Sequence, residues 1–222
     1  MSPPPPKIIL ATEEDAPALA SLTTASFAAS DAAYPLIWGS APPGTHDTVS
    51  LNGLFSPVQK SDKVTLKAVH ENGELVGLAT WNMPKESLPV KAAGGAGLPV
   101  IPRVNMELWN EMVMGLKGCY DRDVDLLKDI CMDLLPLSSA RAPALSHPLS
   151  RQGIGSLLLE WGKKKADETG ARIWLSSTPQ AVSTYERNGW KVVERYDVML
   201  EKYGGQGVYS RAWMLREPAA AA

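Results

Sequence analysis

The chain has 222 residues, 45% of them hydrophobic, enough to close one sizeable core, so one domain is the natural expectation. A formal charge of -2 and an isoelectric point near 6.0 exclude bulk attraction to nucleic acid or to an anionic membrane surface. Two cysteines, Cys119 and Cys131, in a chain without a signal-like or long apolar run exclude a disulfide scaffold and point to a soluble protein of a reducing, cytoplasmic compartment.

In chain order, Met1 to Pro6 is a proline-rich leader that favours extended backbone. Lys7 to Ala11 reads as a strand. Thr12 then supplies an N-cap, with Glu13, Glu14 and Asp15 in the first turn of a helix that runs through Leu19, Leu22 and Phe27. Residues 31–57 are aromatic and rich in turn formers, with a short helix expected from His46 to Phe55. Within this stretch Tyr34 and Trp38 either anchor the segment on the core or face a ligand.

Val64–Val69 and Leu75–Trp81 flank Asn72-Gly73, a strong hairpin turn. Residues 84–105 form an irregular segment, a flap or a connector, followed by a helix expected from Met106 to Tyr120 on the spacing of Leu108, Met112 and Leu116. Asp121, Asp123, Asp125 and Asp129 form an acidic run that reads as a solvated turn or as the rim of a site for a cationic amine. Ile130 to Leu135 reads as a buried strand carrying one awkward acid, Asp133. Residues 136–146 bring no element.

The stretch from His147 to Trp190 organises the rest. Ser150, Arg151, Gln152, Gly153, Ile154, Gly155 and Ser156 make a polar, glycine-bearing loop that feeds a helix through Leu157, Leu158, Leu159 and Trp161. The unpaired amides of a helix start, with glycine allowing close backbone approach, suit a phosphate or pyrophosphate. Lys163, Lys164 and Lys165 are a solvated helix face or a local basic patch. Gly170 is a natural C-cap, Ile173–Leu175 a short strand, Thr178-Pro179 the start of another helix, and Tyr185-Glu186-Arg187-Asn188-Gly189-Trp190 its end. Lys191–Met199 and Val208–Leu215 are the last strands, and the chain beyond Pro218 should fray.

Gly153-Ile154-Gly155 and Tyr185-Glu186-Arg187-Asn188-Gly189-Trp190, with helix and strand between them, resemble the cofactor-binding half of the GNAT superfamily of N-acetyltransferases. The family's loop reads Q/R-x-x-G-x-G/A; here Ser150 occupies the first position and Arg151 and Gln152 stand one place later. The resemblance implies an α+β (mixed α/β) fold with a twisted, mostly antiparallel sheet of about six to seven strands flanked by helices. It further implies one domain over 7–217, acetyl-CoA as co-substrate without a metal, and a small-molecule primary amine as acceptor. No nucleic-acid or membrane partner is implied, and a homodimer is compatible with it.

By the same resemblance, CoA is met by Leu134 and Leu135 of the pantetheine strand, by Ser150 to Ser156, by Ser177 and by Tyr185. Tyr34, Trp38 and Trp81 are the expected acceptor contacts. Tyr185 is the expected proton donor to the leaving thiolate. Asp133 is a candidate base for the amine, or else a brace for neighbouring backbone. A peptide or protein acetyltransferase, or an acyl-CoA-binding module without catalysis, are the competing readings.

Overall fold

The computed structural model describes residues 4–88, 101–114, 116–134 and 153–219. Two-residue alternation in the strands sorts their side chains onto two faces of a sheet. Ile130 and Met132 of β4 (Ile130–Leu134), Ile173 and Leu175 of β5 (Ile173–Ser177), and Ala212 and Met214 of β7 (Val208–Arg216) share one buried cluster. The intervening Cys131, Trp174 and Trp213 belong to another. Both faces are apolar, so each takes a layer of helices.

These strands join β1 (Lys7–Leu10), β2 (Lys63–Val69), β3 (Leu75–Asn82) and β6 (Lys191–Met199) in one seven-stranded sheet of order β1-β2-β3-β4-β5-β7-β6. Neighbours are antiparallel except β4 and β5. A parallel pair needs a crossover, and α6 (Ile154–Thr169) supplies it. The expected mixed fold with a mostly antiparallel sheet is therefore what the chain forms.

On the first face, Ile154, Leu158 and Leu159 of α6 and Val182 and Tyr185 of α7 (Val182–Arg187) complete the strand cluster. The second face carries α1 (Ala16–Ser30), α2 (Tyr34–Trp38), α3 (Thr45–Leu54), α4 (Met106–Met114) and α5 (Lys117–Asp123). Two helices thus stand where one was expected from Met106 to Tyr120. Among the described residues no helix is long and apolar enough to cross a membrane.

Asp129 corrects the reading of the acidic run as solvated. It is buried, accepts bonds from Arg172 at 2.7 and 3.0 Å and from Trp174 Nε1 at 3.0 Å, and so fastens the start of β4 to β5. In the lysine run of α6, Lys164 is exposed and Lys163 and Lys165 half-buried; Lys163 pairs with Glu160, and Lys164 and Lys165 with Glu168.

Helix α6 is bounded by Gly153 and Gly170, both left-handed at φ 69°, which a residue with a side chain adopts only at a cost. Its middle is held close to the sheet by Gly162, where a Cβ would lie 2.3 Å from the ring of the fully buried Trp81. Gly162→Ala should therefore destabilise the fold by about 1–3 kcal/mol through overpacking, outweighing the roughly 1 kcal/mol that alanine gains in helix propensity. Urea unfolding checks this; a stabilised variant would show that Trp81 does not fix the seat of α6.

Candidate functional site

The site begins where the parallel ladder ends. β4 and β5 pair at Ile130↔Ile173, Cys131↔Trp174 and Met132↔Leu175, and no further. On its other edge β4 pairs with β3 at Met132↔Trp81 and then Leu134↔Thr80, so Asp133 is an extra residue with no partner of its own. Such a bulge bends the strand that carries it. Meanwhile Ser176 and Ser177 stay with β7, opposite Trp213 and Ala212. Among the described residues the facing edges of Asp133-Leu134 and Ser176-Ser177 are not paired with each other, a slot bordered by backbone N–H and C=O groups that need partners.

Because α6 runs back along a parallel pair, its N-terminus lies at this same end of β4 and β5. The first intrahelical bond, from Leu157 N–H to the Gly153 carbonyl, is 2.9 Å long. The amides of Ile154, Gly155 and Ser156 precede any acceptor within the helix and carry its positive end. Asn188 Nδ2 donates to Ser156 Oγ at 3.2 Å and to the Thr184 carbonyl at 2.9 Å, tying this helix start to the end of α7.

Beside the slot, on the second face, lies a cavity of about 710 Å³. It adjoins the slot through Thr178, the residue after β5, and through Arg211, which neighbours the partner of Ser177 in β7. Its wall is a stack of rings from three helices. Trp38 lies 4.4 Å from His46, nearly parallel to it, and 4.9 Å from Trp109; Tyr34 is 5.4 Å from His46. Burial among these rings lowers the His46 pKa to about 4 against the pull of Asp47, so the ring is neutral near pH 7. Its Nδ1 is buried with no partner among the described residues.

The floor is polar. Asp31 is buried, accepts the amide of Ala33 at 2.9 Å, and accepts a hydrogen bond from the Tyr209 hydroxyl. Burial and the Asp31 charge both push the Tyr209 phenol up, so it stays a donor. Arg211 donates to the Met112 carbonyl at 2.9 Å, and its Nε has no partner among the described residues.

Of the residues nominated from sequence, Tyr34 and Trp38 line this cavity. Trp81 does not: it is 0% exposed, lodged between the sheet and α6, and is core rather than an acceptor contact. Ser177 is buried and its hydroxyl donates to the Thr178 carbonyl at 2.9 Å, so that hydroxyl proton is already committed locally. Asp133 accepts a bond from Asn82 Nδ2 at 2.5 Å; its surface is exposed, yet enough protein surrounds the carboxyl for desolvation to raise its pKa, opposed by the Asn82 bond and the Lys63 charge.

Tyr185 is buried edge-on to Trp190 at 6.0 Å, and burial alone pushes its phenol up. Neither Asp133 nor Tyr185 is among the described residues lining the cavity. Gly153, Ile154, Gly155 and Ser156 form the helix start as expected, and the Leu134 backbone borders the slot. Leu135, Ser150, Arg151, Gln152 and the segment 136–146 lie outside the described residues, as does most of the expected flap. His46, Trp109, Tyr209 and Arg211 were not singled out as ligand contacts; only the i, i+2 spacing of Tyr209 and Arg211 on one strand hinted that they share a face.

No protein-family model and no curated protein matches the chain. Solved structures do. A Corynebacterium glutamicum protein described as a histone acetyltransferase and related acetyltransferase is 18% identical at a TM-score of 0.58, covering 99% of each chain. An acetyltransferase of the GNAT family from Streptococcus pneumoniae is 15% identical at 0.52, over 96% of this chain and 99% of that one. The C-terminal condensation domain of Ebony, in complex with beta-alanyl-dopamine, is 12% identical at 0.64, over 96% and 98%.

The burial of His46 gives a pH signature. Its folded pKa lies below the ordinary imidazole value of 6.5, so unfolding takes up a proton between that value and about 4. The contribution is complete above 6.5 and is lost as pH falls through about 4. Urea unfolding should show the wild type losing stability relative to His46→Phe, which keeps an aromatic ring in the stack, as pH is lowered across that window. Parallel pH profiles for the two proteins would mean that water reaches the ring.

Proposed function

We propose, for a chain whose fold is that of the GNAT acetyltransferases, that the protein moves the acetyl group of acetyl-CoA to a primary amine of a small molecule by direct attack. The observation that carries this reading is the meeting of three features at one end of the parallel pair: strand edges unpaired among the described residues, the N-terminus of α6 and a half-open, ring-lined cavity.

The residues present fit such a co-substrate. Amides of Ile154, Gly155 and Ser156 suit a diphosphate, and left-handed Gly153 has no side chain to crowd it. The slot between Asp133-Leu134 and Ser176-Ser177 offers strand-edge groups to the amides of a pantetheine arm. Acetyl-CoA supplies an activated thioester, so the protein needs no nucleophile of its own. Its tasks are to hold the amine and the acyl carbon together, to stabilise charge on the carbonyl oxygen through a strand amide near Leu134, and to manage two protons.

For the first proton, Asp133 is the proposed base: desolvation holds its pKa above the ordinary carboxylate value, which makes it a better proton acceptor than an unperturbed aspartate. For the second, Tyr185 is the proposed donor to the leaving thiolate, its burial keeping the phenol protonated across the physiological range. The apolar, ring-lined cavity favours a small acceptor over an extended peptide. One structural neighbour holds beta-alanyl-dopamine, a small aromatic amide, in the same fold.

Release of free CoA thiol in the presence of a panel of amines and peptides tests this reading. Thiol release with small amines supports it. Tight acetyl-CoA binding with no release on any acceptor would leave a binding module. Tyr185→Phe should retain acetyl-CoA affinity while turnover falls by roughly 10²-fold or more. Unchanged turnover would remove Tyr185 from the mechanism.

A further inference from the structure

The described lining of the cavity holds one cation, Arg211, and one carboxylate, Asp31. Arg211 sits on β7 with one bond, to the Met112 carbonyl, and a buried Nε that reaches no acceptor among the described residues. The nearby carboxylate, Asp31, has its two oxygens taken by Ala33 N–H and the Tyr209 hydroxyl. Guanidinium stays charged at any physiological pH, and a desolvated charge with an unmade bond is costly. Burial indeed acts to lower the Arg211 pKa, against the charge of Asp31. With His46 neutral, Arg211 is the one cation among the described lining residues, and so the place at which an anionic group of a ligand would be met.

We propose that the acceptor is a small aromatic amine that also carries a carboxylate, its ring lying against the Trp38, His46 and Trp109 stack and its carboxylate meeting Arg211. The ring stack gives the aromatic part its place. Trp38 is flanked by His46 at 4.4 Å and by Trp109 at 4.9 Å, so its neighbours fix the plane that a flat ligand would meet. Arginine's planar fork matches a carboxylate, and Arg211, a lining residue with a single side-chain bond among the described residues, brings that fork to the cavity wall. Neutral His46 lends its ring to the stack without adding charge. The inference rests on the acetyl-transfer reading for the identity of the reacting atom, and on the cavity alone for what binds.

The test compares each aromatic amino acid with its decarboxylated twin. Calorimetric titration of the full chain with L-tryptophan against tryptamine, and L-phenylalanine against phenethylamine, needs no variant. The carboxylated member should bind about 10- to 100-fold more tightly, the range expected of one hydrogen-bonded charge in a buried site. In Arg211→Gln the preference should fall to a few-fold or vanish. Equal or tighter binding of the decarboxylated amines overturns the proposal, as does a preference that survives Arg211→Gln or the failure of both members of each pair to bind. Thiol release measured on the same pairs separates the two readings: carboxylate-selective binding without release sinks acetyl transfer and leaves this inference standing, whereas release without selectivity does the reverse.

Discussion

The molecule's functional architecture depends on a strand that stops pairing. β4 takes one residue too many against β3, Asp133, and from there its other edge no longer follows β5. Backbone groups at that point would be satisfied by the ladder if the strands stayed parallel; parted, they form the slot on which the proposed site is built. The crossover then fixes the rest, because a helix linking two parallel strands must start at their C-terminal end. A row of free amides and an open slot are thereby brought to one place without any side chain having to converge on it.

Around this backbone site the two faces of the sheet do different work. The first holds position: Gly162 lets α6 close onto Trp81, and Ser156 is tethered by Asn188, so the helix start is not free to drift. The second carries the cavity: α2, α3 and α4 contribute Trp38, His46 and Trp109 to a ring wall, and β7 contributes Arg211 to its floor. Asp129 joins the two tasks. Its bonds to Arg172 and Trp174 lock β4 to β5 near the start of the pair, so the divergence is confined to the far end.

What could be read in the sequence was what local rules govern. Gly153 and Gly170 mark the ends of α6 because a left-handed cap concerns only the residues beside it, and the Asn72-Gly73 hairpin is set by a turn for the same reason. Asp133 stood out as an acid inside an apolar strand, and the structure accounts for it as a bulge braced by Asn82. The cavity could not be read, since His46, Trp109 and Arg211 come from elements far apart in the chain and meet only when the second face is assembled. Trp81 was misassigned because strand position does not reveal depth: its place at the end of β3 resembles a rim until α6 covers it. Tyr34 and Trp38 are nominated by the resemblance, while the α2 turn that carries both onto the cavity wall is set by contacts the sequence does not show.

A crystal structure of the protein with CoA bound tests the central claim most directly. The account requires the diphosphate within hydrogen-bonding distance of the Ile154, Gly155 and Ser156 amides, with the pantetheine arm entering between Asp133-Leu134 and Ser176-Ser177 and its sulfur directed toward the ring-walled cavity. CoA lodged elsewhere, with that helix start and strand gap filled by the protein's own side chains, would contradict it.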